Sequence, residues 1–171
     1  GRTFAERDQL DSARHYFELS LENAELIKDL RTQAMAIGEL GVVYYNKGDY
    51  NNALIYQKKD LALKLQFKDS VNFSSATFGL AVILYQLGEL DSAEVYFKKS
   101  LNTSNIERIQ TSNLVLYYIS KKKHNYEEAF KYIDQYRLYT DSVHNANRTR
   151  AVAEAQEKYD NEKLENEKKS L

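Results

Sequence analysis

Apolar residues fall three and four positions apart along most of the chain. Ala34, Ile37, Leu40, Gly41 and Tyr44 trace one such stripe, and Phe78, Leu80, Ala81 and Leu84 trace another. That spacing is the signature of one buried face on an α-helix. Each stripe ends at a turn signal, Gly48-Asp49 in one case and Gly88-Glu89 in the other. Glycine supplies the turn conformation, and Asp49 is placed to cap the helix that follows. Those following helices direct Ala53, Tyr56, Leu61 and Leu65, then Ala93, Phe97 and Leu101, toward a core.

The pattern repeats every 40 residues. Ala13, Ala53 and Ala93 are in register, as are Tyr16, Tyr56 and Tyr96, and Leu21, Leu61 and Leu101. Leu40-Gly41-Val42-Val43 returns as Leu80-Ala81-Val82-Ile83, and Lys28-Asp29 returns as Lys68-Asp69. A fixed period of this length predicts stacked helical hairpins. A fourth unit, four residues shorter, has Leu114, Leu116, Tyr117 and Ile119 on its first helix. His124-Asn125 is its turn, and Tyr126, Ala129, Tyr132, Ile133 and Tyr136 lie on its second helix. The first unit, Leu10 to Lys28, holds only a second helix. The chain starts without Met and runs directly into a repeat, which reads as a piece of a longer protein.

From Asp141 the character changes. Asp141-Ser142 reads as a helix start. Val143, Ala151, Val152, Ala155, Tyr159, Leu164 and Leu171 are sparse apolar residues in a charged background. Glu154 with Lys158, and Glu165 with Lys169, stand at i,i+4 spacing. The chain therefore divides into a repeat region at 1–140 and a charged helix at 141–171. That helix is either a solvated tail or a connecting element that transmits or dimerises.

Ile37, Leu40-Gly41 and Tyr44, followed by Gly48-Asp49-Tyr50 and Ala53, resemble a tetratricopeptide repeat. Leu80-Ala81, Leu84, Gly88, Ala93 and Phe97 fit the same pattern, as do Ala13 and Phe17, and Leu116, Tyr126, Ala129 and Ile133. The resemblance covers about residues 8 to 140. It departs from the usual period of about 34 residues and lacks the proline that often ends the second helix. Longer repeats of this kind are similar to those of kinesin light chains and bacterial regulators, where they bind proteins. The resemblance implies an all-α fold, a right-handed α-solenoid of helical hairpins with a long charged C-terminal helix.

The tail, with Tyr139-Thr140-Asp141-Ser142-Val143, Ala155-Gln156-Glu157-Lys158-Tyr159-Asp160-Asn161-Glu162-Lys163 and Glu165-Asn166-Glu167-Lys168-Lys169, resembles a second pattern. It is similar to the end of the repeat-containing sensor region in membrane-bound signalling proteins of Bacteroidetes-type bacteria. There a charged helix leads into one transmembrane helix and then a histidine kinase or helix-turn-helix regulator. That resemblance implies a transmembrane helix after Leu171, an extracytoplasmic location and a homodimer. The alternative is a free-standing scaffold in the cytoplasm, with the charged helix folded back as a cap.

Composition narrows the function classes. The net charge is -1 over 171 residues, which gives no electrostatic footprint for nucleic acid. Lys121-Lys122-Lys123 and Arg148-Thr149-Arg150 are diluted by nearby acids. There is no Cys and no Pro, so disulfides and thiolate chemistry are excluded. No apolar run approaches the roughly 18 residues of a spanning helix. His15, His124 and His144 lie in different units, without metal-ligand spacing. No nucleophile meets a base at readable spacing, and no phosphate loop is present. The expected function is therefore protein or peptide binding, without catalysis, cofactor or metal.

By the phase of the repeat, the first helix of each hairpin lines the inner face of the solenoid. The second unit places Met35, Val42, Tyr45 and Asn46 there, the third Ser75, Phe78, Val82, Tyr85 and Gln86, and the fourth Leu114, Tyr118, Lys121 and Lys122. Tyrosines and amides suit a peptide, because aromatic anchors give large contact area at low entropic cost. Phe78, Val82 and Leu114 are expected to pack between hairpins instead. The resemblance also implies that no C-terminal carboxylate clamp is present. Gly38 and Val42 stand where that clamp uses polar residues.

Overall fold

A computed structural model describes residues 4–66 and 70–169. Lys68, Asp69 and Leu171, used above, lie outside the described residues. The described chain forms seven helices: α1 (Phe4–Leu26), α2 (Leu30–Lys47), α3 (Tyr50–Gln66), α4 (Ser70–Gln86), α5 (Leu90–Ser100), α6 (Ile106–Lys122) and α7 (Tyr126–Lys169). Each packs on its neighbours in sequence, and α2 also touches α4. This is an all-α helical-repeat solenoid in which α2/α3, α4/α5 and α6/α7 are the hairpins.

Turn chemistry sets the hairpins. Gly48 and Gly88 adopt φ of +81° and +80°, the left-handed region that glycine enters without steric cost. His124 makes the same turn in the fourth unit with φ of +59°. Caps follow the turns. Asp49 accepts the Asn52 backbone N–H at 3.1 Å, Asn105 accepts that of Arg108 at 2.8 Å, and Asn125 accepts that of Glu128 at 3.3 Å. Each satisfies a donor at a helix start that has no partner within the helix.

Of the alanines of the 40-residue register, Ala53 and Ala93 are fully buried and Ala13 is half-buried. One core cluster joins Leu80, Ala81 and Leu84 of α4, Ala93 and Phe97 of α5, and Leu116 and Ile119 of α6. A polar seam crosses it, where Ser74 Oγ donates to the Ser100 carbonyl at 3.0 Å and the Ser100 and Ser112 hydroxyls meet at 3.1 Å.

Three expectations change. Leu65 is exposed rather than in the core. Leu101 lies just past the end of α5, which spans 11 residues against 17 in α3. No new helix starts at Asp141-Ser142, since α7 runs unbroken for 44 residues. The Ser142 hydroxyl donates to the Leu138 carbonyl at 2.9 Å. A serine inside a helix satisfies itself this way instead of capping.

Candidate functional site

A cavity of about 570 Å³ opens between α2 and α4, with α3 behind it. Its origin is legible in the repeat register. Positions 38 and 78 are equivalent, and so are 57 and 97. In the third repeat Phe78 meets Phe97 edge-on, with ring centroids 6.0 Å apart. In the second repeat the same positions hold Gly38 and Gln57. There a hydrogen atom and an amide stand in place of two rings, and both residues line the hollow.

The floor is polar. Gln57 and Asp60 of α3 are 5% and 1% exposed. Gln57 Nε2 donates to the Ala76 carbonyl at 3.2 Å and to Asp60 Oδ2 at 3.3 Å. The Lys64 ammonium is 2.8 Å from the same Oδ2. Asp60 Oδ1 is buried and has no hydrogen-bond partner. Burial pushes the Asp60 carboxyl above the usual carboxylate range; Lys64 and Gln57 pull the other way, and the charge of Glu39 adds to the rise.

Small residues admit this polar pair. A Cβ on Gly38 would come within 3.2 Å of Asp60 Oδ2, and one on Gly79 within 2.9 Å of the Gln57 amide carbon. Gly41 faces Gln57 Oε1 in the same way, at 3.2 Å. The glycines of α2 and α4 are therefore close-approach residues, not breaks in the helices.

Of the residues singled out from the sequence, Met35, Val42, Tyr45, Ser75 and Phe78 line this cavity, together with Val82. Met35 and Val42 are exposed on its rim, at 68% and 48%. Asn46, Tyr85 and Gln86 lie off it; Gln86 Nε2 is 3.5 Å from the Tyr45 hydroxyl. Tyr118 and Lys122 are exposed on α6, outside the cavity. Sequence reasoning missed Gln57, Asp60 and Lys64, along with Arg31 and Glu39 of α2. The signal was the register itself, which aligns Gln57 with Phe17 and Phe97, and Asp60 with Ser20 and Ser100.

The basic residues do not gather into one patch. Lys123 pairs with Asp91 and Glu94 of α5, and Arg150 pairs with Glu154 within α7. Among the described residues, no group of three or more His, Asp or Glu could hold a metal ion. Among them, too, no helix is long and apolar enough to cross a membrane.

A family model described as tetratricopeptide repeat matches residues 33–65 and 79–105. These are the α2/α3 hairpin and the greater part of α4/α5. Over those two stretches the chain matches the tetratricopeptide repeat. Such repeats indicate a protein-binding or scaffold role. Among solved structures, the repeat chain is similar to BtubC (BKLC) from P. vanneervenii, with a TM-score of 0.70 and 16% identity. The match covers 80% of this chain and 59% of that one, so the chain spans under two thirds of that protein's length. At that identity the likeness speaks for the fold alone. No curated protein matches the sequence.

Proposed function

We propose that this chain is a non-catalytic peptide-docking domain whose docking face is built by α2 and α4. The observation that carries this is the open hollow between those helices, rimmed by the exposed Met35 and Val42 and floored by a buried polar pair. Open concave sites with apolar walls and a few placed polar groups are the usual form of ligand sites.

In the wider protein, the domain serves as the sensory or scaffolding region of a bacterial signalling protein, with residues 141–171 as a connector and a homodimer as the working unit. The unbroken run of α7 supports a connector over a folded-back cap. Its 44 residues extend about 66 Å at 1.5 Å per residue, and a continuous helix cannot double back on its own hairpin.

A photo-crosslinking amino acid at Met35 or Val42, compared with one at Ile55 or Val95 on α3 and α5, tests the docking face. The reading expects protein adducts from the source cells at the first pair and none at the second. Equal yields at both pairs would overturn it. For the connector, removal of residues 145–171 from the full-length protein is expected to abolish signalling, and intact signalling would sink that part.

A further inference from the structure

The hollow has an unmet chemical need. Asp60 lines the cavity and is 1% exposed, and its Oδ1 is a buried acceptor with no partner. A buried polar group left without a hydrogen bond is costly. Ser20 and Ser100 occupy the same register position in the neighbouring repeats, and Ser100 is fully satisfied by the Phe97 carbonyl and the Ser112 hydroxyl. The second repeat thus departs from its neighbours at three positions that all line the hollow, Gly38, Gln57 and Asp60, the last with an unpaired acceptor.

We infer that this hollow receives a lysine or arginine side chain of a bound peptide, its stem against Val42, Phe78 and Val82 and its head group donating to Asp60 Oδ1. The inference deepens the peptide-docking reading and rests on it. Charge favours a cation at this end of the cavity. Glu39 and Asp60 bring two carboxylates there, against the single ammonium of Lys64, which is already engaged with Oδ2. Arg31, the other cation of the lining, stands seven residues before Gly38 on α2, about 10 Å along the helix. The apolar wall suits the methylene stem of a basic side chain, which buries its carbons while its head seeks a polar partner.

The test starts from linear peptides selected out of a random library on the wild-type chain. The expected result is a shared Lys or Arg in the selected peptides. Replacing that residue with norleucine, which keeps the stem and removes the charge, is expected to weaken binding about tenfold or more. Asp60→Ser, which copies Ser100, is expected to do the same. Gly38→Phe combined with Gln57→Phe copies the Phe78–Phe97 pair, fills the hollow and is expected to abolish selection of basic peptides. Circular dichroism checks that the variants fold; if they do not, the norleucine comparison on the wild-type chain decides alone. Selected peptides that bind without a basic preference, and equally well when norleucine is present, would overturn the inference while leaving peptide docking in place. If no peptide is selected, or if arginine amide alone binds as tightly as any peptide, both readings fall.

Discussion

Gly38 lies directly against the carboxylate of Asp60, so closely that a methyl group on Gly38 would sit 3.2 Å from Oδ2. The relationship joins two helices, α2 and α3, through one missing side chain. Gly79 stands in the same relation to Gln57 from α4, more tightly still, at 2.9 Å.

These two distances separate two otherwise similar substitutions. Alanine gains about 1 kcal/mol over glycine within a helix. At Gly38 that gain is offset by a contact the carboxylate can relieve with a small shift, so Gly38→Ala should leave stability nearly unchanged. At Gly79 the new methyl would displace Gln57 from its bonds to Asp60 and the Ala76 carbonyl. Gly79→Ala should lower stability by roughly 1–2 kcal/mol net. Urea unfolding of the two variants checks the order, and an equal or reversed order would refute this packing.

Asp60 should leave a mark on the pH dependence of stability. Its folded-state pKa is raised above the ordinary 3.8, chiefly by burial. Above 3.8 the folded state therefore holds a proton that the unfolded chain has lost. Stability from this group falls as pH rises through the raised folded value. Relative to wild type, Asp60→Asn should gain stability as pH climbs from 3.8 through that window to neutral. A pH series of thermal melts reads it, and a difference independent of pH would count against the assignment.

Phe97 is fully buried and meets Phe78 edge-on. Phe97→Ala should cost about 3–5 kcal/mol, because the cluster that joins α4, α5 and α6 loses its largest member. Chemical denaturation measures it. A loss near that of a surface substitution would mean that the third repeat packs differently.

His124 holds φ of +59°, where a side chain is strained and glycine is not. His124→Gly should therefore stabilise the α6/α7 turn by about 1 kcal/mol, despite losing the 3.1 Å contact between the imidazole and the Tyr126 hydroxyl. An unchanged or lowered melting temperature would show that this contact outweighs the backbone strain.

Much of the fold was legible before any coordinates. The alanines at 53 and 93, the turn glycines at 48 and 88 and the Asp49 cap do what local geometry demands of those residue types. Leu65 has the residue type and helical phase of a core position, but it stands at the end of α3 and is exposed. Asp141-Ser142 has the residue types of a helix start, yet α7 runs through it and the Ser142 hydroxyl bonds back to Leu138. Half of the proposed groove residues line the cavity because the repeat phase sets which face of α2 and α4 they occupy.

Sequence alone determined the hairpins, their register and their turns, since these follow from apolar periodicity and from backbone preferences that act within a few residues. The hollow and its polar floor were decided by tertiary structure. Gln57 and Asp60 are buried on α3 only because Gly38, Gly41 and Gly79 stand opposite them. Whether a polar side chain is buried, paired or left with an open acceptor depends on which residues of other helices face it, and that facing exists only once the hairpins have stacked.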